Sequence, residues 1–312
     1  MYDDFLSENE LEEAKQEYDM IQQEQQEKWR KSAENACRLA GVTPPKVSIV
    51  NGKAGPRQIE RELLLPVMIP FWKDNQRGVP NCFLRSALFG VVKKGKRARI
   101  KNKKIASLGG VEIVYNDGEQ LDQNDLIAWE QCLHYMREKE FDDTISFSAY
   151  DFLKSVGKPT NPAQYQWLES SISRLRKADI KIEDKKFEYQ GTLIFDKTKD
   201  KDTNRYILTV NKKFAKLYER TSYTKLDISK RRKLKGQISF WLFNYYSSHK
   251  EPFKHKVSSI KEWCGSQTKD IKRFRNSLKS ALKNLSGVTG WTCWIDENDF
   301  VHVIKNRKML SS

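Results

Sequence analysis

The sequence predicts an α+β chain in which one supersecondary unit occurs twice in tandem, behind an acidic helical segment. Three observations lead there. Two short helical stretches that end in glycine, AYDFLKSVG and VSSIKEWCG, align at an offset of 108 residues. The amphipathic stretches after them align at 106, pairing Leu168 with Phe274 and Ile172 with Leu278, and each leads into a hairpin pattern. Charge is also divided. Residues 1–40 hold 5 basic and 11 acidic residues, which leaves 52 basic and 30 acidic residues, a net of +22, on the remainder. An acidic head on a strongly basic body indicates a polyanion as partner.

Residues 7–40 read as a helix capped by Ser7, with Glu10 as the reciprocal capping partner. Its apolar residues are too sparse for a core stripe, so it is a solvated or partner-seeking helix. Gly and Pro mark residues 41–60 as a linker. Residues 61–120 read as a basic extended or connecting segment. In it LLLPVMIPFW suits an edge strand, NCFLRSALF has helical spacing, and VEIVYNDGEQL is a strand ending in a turn at Asn116–Gly118. The first repeated unit covers 121–222. A helix capped by Asp122 carries Leu126, Trp129, Leu133 and Met136 on one face. DTISFS is a strand, SAYDFLKSVG a helix closed by Gly157, and Asn161-Pro162 caps and opens a helix over 162–177. Strands IKIED, FEYQGTLIF and RYILTV follow, with KTKDKDTN as a turn. The second unit, 223–312, repeats the order: one long helix over SKRRKLKGQISFWLFNYYSSH, a short helix ending at Gly265, a third helix over SQTKDIKRFRNSLKSALKNL, and strands GWTCWID and DFVHVIK. Helix, strand, helix, turn, helix and hairpin is the order of a winged helix-turn-helix, so the expected architecture is two winged-helix domains in tandem.

Such a motif sets its last helix in the major groove. In the second unit Ile271, Phe274, Leu278, Leu282 and Leu285 form the expected core stripe. The opposite face offers Lys272, Arg275, Asn276, Lys279 and Lys283 without an acid, flanked by Lys269 and Arg273. Arg can bridge guanine, Asn adenine, and the lysines suit phosphates. The first unit presents Gln166, Ser170, Ser173, Arg174 and Lys177. The tip of its hairpin interleaves three lysines with three aspartates and is not expected to contact DNA.

The stretch GVVKKGKRARIKNKK approaches the phosphate loop of nucleotide hydrolases but departs from it. Arg97 stands where a Mg²⁺-binding hydroxyl is needed, and no buried strand precedes Gly90. Eight of the twelve residues 93–104 are cations: Lys93, Lys94, Lys96, Arg97, Arg99, Lys101, Lys103 and Lys104. They are expected on DNA phosphates, and no nucleotide or other cofactor is expected.

Catalysis finds little footing. The four histidines are unpaired, which disfavours a metal-dependent nuclease or relaxase, and His134 sits beside a core stripe as a structural residue. The five widely spaced cysteines give neither a zinc ribbon nor a disulfide framework. The acidic start is unlike a secretory leader, and no apolar run approaches a membrane span. A cytoplasmic, non-enzymatic protein is expected.

RGVPNCFLRSALFGVVKKGKR (77–97), IASLGGVEIVY (105–115), LDQNDLIAWEQCLH (121–134), FSAYDFLKSVGK (147–158) and VSSIKEWCGS (257–266) resemble the TrfA-type plasmid replication initiators over residues 63–285. The resemblance implies two winged-helix domains that bind direct repeats (iterons) in the double-stranded DNA of a plasmid origin. It implies opening of adjacent A·T-rich DNA and recruitment of the bacterial host's initiator, replicative helicase and sliding clamp. It also implies active monomers, dimers held inactive through the first winged domain, and no use of ATP. Relatives carry a Gln-led clamp-binding stretch before the aromatic at Trp72, whereas here that stretch reads PVMIPFW without Gln. The alternative reading is a tandem winged-helix transcriptional repressor, which would bind a palindrome as a dimer.

Overall fold

The computed structural model describes residues 69–305 except 71, 94, 138–143, 185–187, 201, 204, 212, 214–216 and 219–222. The expected acidic helix at 7–40, its linker and Lys94 lie outside the described residues. The described elements run β1 (Gln76–Pro80), α1 (Asn81–Leu84), β2 (Phe89–Gly90), β3 (Arg99–Ile105), β4 (Glu112–Glu119), β5 (Leu121–Asp122) and α2 (Gln123–Met136). There follow β6 (Thr144–Ser148), α3 (Ala149–Ser155), α4 (Pro162–Lys177), β7 (Asp179–Glu183), β8 (Glu188–Gly191), β9 (Ile194–Asp200) and β10 (Arg205–Val210). The chain then gives β11 (Tyr223–Asp227), α5 (Ile228–Arg231), α6 (Gln237–Ser247), β12 (His255–Lys256), α7 (Val257–Trp263), α8 (Ile271–Thr289), β13 (Thr292–Ile295) and β14 (Phe300–Ile304).

Local chemistry explains the helix ends. Asp122 caps α2 by accepting from the backbone N–H of Asn124 and Asp125, and Asp125 returns the bond to the N–H of Asp122. Asn161 caps α4 ahead of Pro162, and Asp270 caps α8 through Lys272 and Arg273. Gly157 and Gly265 end α3 and α7 at positive φ, +73° and +63°, where a side chain would be strained.

The repeat is visible in the strand order. One unit runs α2, β6, α3, α4, β9, β10 and forms a sheet ordered β6-β10-β9. The other runs α6, β12, α7, α8, β13, β14 and forms a sheet ordered β12-β14-β13. In both, the strand after the first helix pairs antiparallel with the last strand of the hairpin. The first unit has an insertion, β7 and β8, which extends β3 and β4 into a four-stranded antiparallel sheet ordered β3-β4-β7-β8.

Several sequence expectations are corrected. The stretch read as a connecting segment holds β1 to β4, and β1 pairs with β11 at the start of the second unit. The second half of the basic run, from Arg99 on, becomes the edge strand β3, because β4 satisfies its backbone whatever its side chains are; lysines on an edge also discourage pairing with other chains. Asn116–Gly118 is not a turn. The strand runs through it with a register shift, and Gly118 takes a φ of +137° where an added Cβ would meet Ala178 Cα at 2.9 Å. The first half of KTKDKDTN, Lys197 to Asp200, lies in strand β9. The long helix expected over 229–249 is split into α5 and α6, since Gly236 turns the chain at φ +82°. Ile271 is 44% exposed and leaves the core stripe, which Phe274, Leu278, Ala281, Leu282 and Leu285 form instead.

The two units share buried polar contacts. Asn244 of α6 donates to Gln123 Oε1 of α2 at 2.8 Å, and Gln237 Nε2 donates to Asp122 Oδ2 at 2.9 Å. Fully buried Glu130 pairs with Arg231, itself 5% exposed. Trp72 is buried and donates from Nε1 to His134 Nδ1 at 3.1 Å, so this imidazole is held neutral. Burial, then Arg77 and Arg137, push its pKa down to about 3. The stabilisation is complete above the ordinary histidine range and is lost as pH falls from about 6.5 towards 3, by at most about 1.4 kcal/mol per pH unit. Urea titrations across that window are expected to show a shallower acid limb for His134→Gln; an unchanged limb would assign it to other groups. No helix among the described residues is long and apolar enough to cross a membrane.

Candidate nucleic-acid interface

Helix α8 is amphipathic with no acid anywhere along it. Its inward stripe packs on α6 and β13, which leaves Lys272, Arg273, Asn276, Ser277, Lys279, Ser280 and Lys283 exposed. Arg275 is drawn off this face. Its Nε donates to Asp299 Oδ1 at 2.5 Å, on the turn between β13 and β14, so it braces the hairpin rather than facing a base. The sequence signal that could have found this is the acid-rich turn IDEND, into which an arginine at the start of α8 can reach.

The N-terminal half of α8 opens onto a groove of about 1180 Å³. Its cations come from three distant places in the chain: Lys93 and Lys96 from the loop after β2, Lys235 before α6, and Lys269 and Arg273 at the start of α8. Asp270 is the one acid on its wall, and its carboxylate is already accepting from the Lys272 and Arg273 backbone. The loop is fixed in place: Val91 N–H donates to Cys264 O at 2.7 Å and Val92 N–H to Gln237 Oε1 at 2.9 Å. Gly90 packs so closely that an added Cβ would stand 3.1 Å from Ala87 O and 3.3 Å from Cys264 O. Its role is therefore close backbone packing against the second unit. Two basic features that are separate in sequence thus line one groove, and Lys235, hidden within the run expected as helix, joins them.

The run 93–104 divides by partner. Arg97 faces inward, bonding Asp122 Oδ2 at 2.7 Å and Asp125 Oδ2 at 3.0 Å. Arg99 pairs with Asp117 and Lys104 with Glu112, both across to β4. Lys93, Lys96, Lys101 and Lys103 are exposed and have no ion pair among the described residues. Changing these four to alanine is expected to weaken binding to all DNA and flatten the salt slope by up to about 4. Arg97→Ala is expected to act on stability instead, because it uncovers the buried carboxylates at the cap of α2. Equal effects of the two variants on the salt slope would refute this division.

The first unit presents a weaker face on α4. Gln166 and Lys177 are exposed, as is Arg176, which the sequence reading passed over; Ser170 and Ser173 are half-buried. Arg174 is removed from this surface. Its Nη2 donates to Asp125 Oδ1 at 2.7 Å, and Asp125 is buried, with its pKa pushed up by burial and drawn down by Arg174. The hairpin is tied to α4 as well, since Glu169 accepts from Tyr206 Oη at 2.7 Å and from Lys197. No group of three or more His, Cys, Asp or Glu among the described residues is placed to hold a metal ion.

A family model described as "TrfA protein" matches residues 48–305. The chain belongs to the TrfA family. A curated relative, the plasmid replication initiator protein TrfA of Escherichia coli, is 28% identical over 255 residues, covering 79% of this chain; the match spans 66% of that relative's length. Among solved structures, domains 2 and 3 of RctB superpose with a TM-score of 0.52 at 13% identity, covering 74% of this chain and 99% of that one. A crystal structure of Pi initiator protein with iteron DNA aligns over 59% of this chain and 95% of its own, at 16% identity and a TM-score of 0.43. The shared fold of this TrfA-family chain is thus a mixed α and β architecture seen also in RctB.

Proposed function

We propose that the chain is a plasmid replication initiator whose two repeated units are winged-helix domains, bounded near 121–222 and 223–312, that together bind direct repeats (iterons) in the double-stranded DNA of an origin. The observation that carries the reading is α8, an acid-free helix whose exposed face runs into a groove lined by five cations. Family membership and the name of the curated relative support the plasmid setting. In this reading α8 lies in the major groove, Asn276 reads a base edge, and Lys272, Arg273, Lys279 and Lys283 hold phosphates. Lys269, Lys93, Lys96 and Lys235 follow the backbone on one side, while α4 supplies a second contact through Gln166 and Lys177.

Binding would serve to open adjacent A·T-rich DNA and to bring in the host's initiator, helicase and sliding clamp, with no catalytic step in this chain and with monomers as the active form, in the cytoplasm. A clamp contact would not use Trp72, which is 1% exposed and stacked 6.1 Å from Tyr218. Titrating purified protein onto the DNA beside its own gene, with permanganate probing of neighbouring thymines, tests this. Stepwise binding of monomers to direct repeats with new thymine reactivity is expected. Binding of one dimer to one inverted repeat without opening would favour a repressor.

A further inference from the structure

A second cationic cavity lies where the two units meet, away from α8. It has a volume of about 270 Å³ and is lined by Arg77 of β1, Lys158 after α3, and Arg231 and Arg232 at the end of α5. Its other polar walls are neutral: Asn124, Gln131, Ser155 and Gln164. No carboxylate lines it; Glu130, which pairs with Arg231, stands behind the wall.

The cavity is built rather than incidental. Arg77 is 4% exposed and is held by Gln131 Oε1, at 3.2 Å from Nε and 2.6 Å from Nη2. Arg232 crosses from the second unit to donate to Ser155 O, and it lies so close over Gly157 that an added Cβ would stand 2.8 Å from its Nε. Lys158 Nζ sits 4.2 Å from the centre of the Trp167 ring. The Gln164 side-chain oxygen is buried in the cavity wall with no hydrogen-bond partner, and a flip of the amide would present its NH₂ instead. Burial above all, against the opposing pull of Glu130 and with the help of the neighbouring arginines, brings the Arg77 pKa down to about 10.

We propose that this junction cavity binds a phosphate-type oxyanion, held by Arg77, Lys158, Arg231 and Arg232, which fastens the two units together. Guanidinium groups match tetrahedral oxyanions geometrically, and the enclosure strengthens each charge-assisted bond. One liquid water occupies about 30 Å³, so the space holds a phosphate with part of its hydration. The same chemistry has two sources, free inorganic phosphate or a phosphate of bound DNA. The inference does not rest on the assignment of α8 to DNA.

The test is calorimetric titration of the full chain with inorganic phosphate against sodium chloride of equal ionic strength, alongside Lys158→Gln and Arg232→Gln. Both positions reach solvent, so the variants should fold; circular dichroism and their melting temperatures in chloride check that. Saturable phosphate binding is expected, weakened about tenfold or more in each variant. Repeating the titration with saturating duplex DNA separates the sources: retained binding identifies a free oxyanion, and lost binding identifies a DNA phosphate, with a salt slope in DNA binding lower by about 1 for Lys158→Gln. No saturable binding by the wild type, or equal binding by folded variants, overturns the proposal.

Discussion

Lys272→Glu combined with Arg273→Glu is expected to reduce affinity for origin DNA and unrelated DNA alike by more than about 100-fold at physiological salt. Each change removes an attraction to phosphate and adds a like-charge repulsion, and like charges set against each other across an interface cost several kcal/mol. The fold should survive. Both side chains are exposed, and they occupy the second and third positions of α8 after the Asp270 cap. Acidic residues are favoured at such positions by the helix dipole, and a Glu at the third can complete a capping box. The melting temperature should therefore hold or rise slightly while binding is lost. Asn276→Ala should behave differently: about 1–3 kcal/mol lost on the cognate site, relaxed preference at one base position, and an unchanged salt slope. Unaltered DNA affinity in the double variant would exclude α8 from the interface.

The second large effect concerns the junction. Arg231→Met leaves Glu130 in a fully buried position without its ion-pair partner, and removing one member of such a pair costs about 3–5 kcal/mol. Burial already pushes the Glu130 pKa up, and Arg231 is the largest influence holding it down. Without Arg231 the carboxylate resists charging more strongly. The deficit is thus expected in full at neutral pH and should shrink as pH falls and Glu130 takes up a proton. Glu130→Gln added to Arg231→Met should recover most of the loss, because the charge is gone. Urea unfolding of the two variants from pH 5 to 8 measures this; an additive loss in the double variant would show that the pair acts through packing alone.

The periodic parts of the chain were legible from residues alone. Helices α2, α4 and α8 announce themselves through an apolar stripe, α2 and α4 also through their Asp and Asn caps, and Gly157 and Gly265 mark the stops of α3 and α7; the start of α8 falls at Ile271 behind Asp270, five residues after the expected Ser266. What escaped is what depends on distant partners. The run from Arg99 to Lys104 became part of β3 because β4 lies beside it, a pairing that a charge-rich stretch does not advertise. Arg97, Arg174 and Arg275 look like groove residues by spacing, yet each finds an aspartate: Asp122 and Asp125 for Arg97, Asp125 for Arg174, and Asp299 for Arg275. A helical wheel reports which face an arginine leaves from, but its long side chain can return to the protein. Gly236 was visible as a residue, but good helix formers on both sides concealed the break. Conversely, the joining of Lys93 and Lys96 with Lys269 and Arg273 in one groove follows from the docking of the loop onto Cys264 and Gln237, a tertiary fact.

The proposed function places the two tandem units on one duplex, with α8 in the major groove. Hydroxyl-radical footprinting of the purified protein on the DNA flanking its own gene tests it most directly. Two protected stretches per bound monomer are predicted, on one face of the duplex and about one helical turn apart (~10–11 bp), with the one assigned to α8 lost in Lys272→Glu/Arg273→Glu. A single short footprint per monomer, or a pattern unchanged in that variant, would contradict the account.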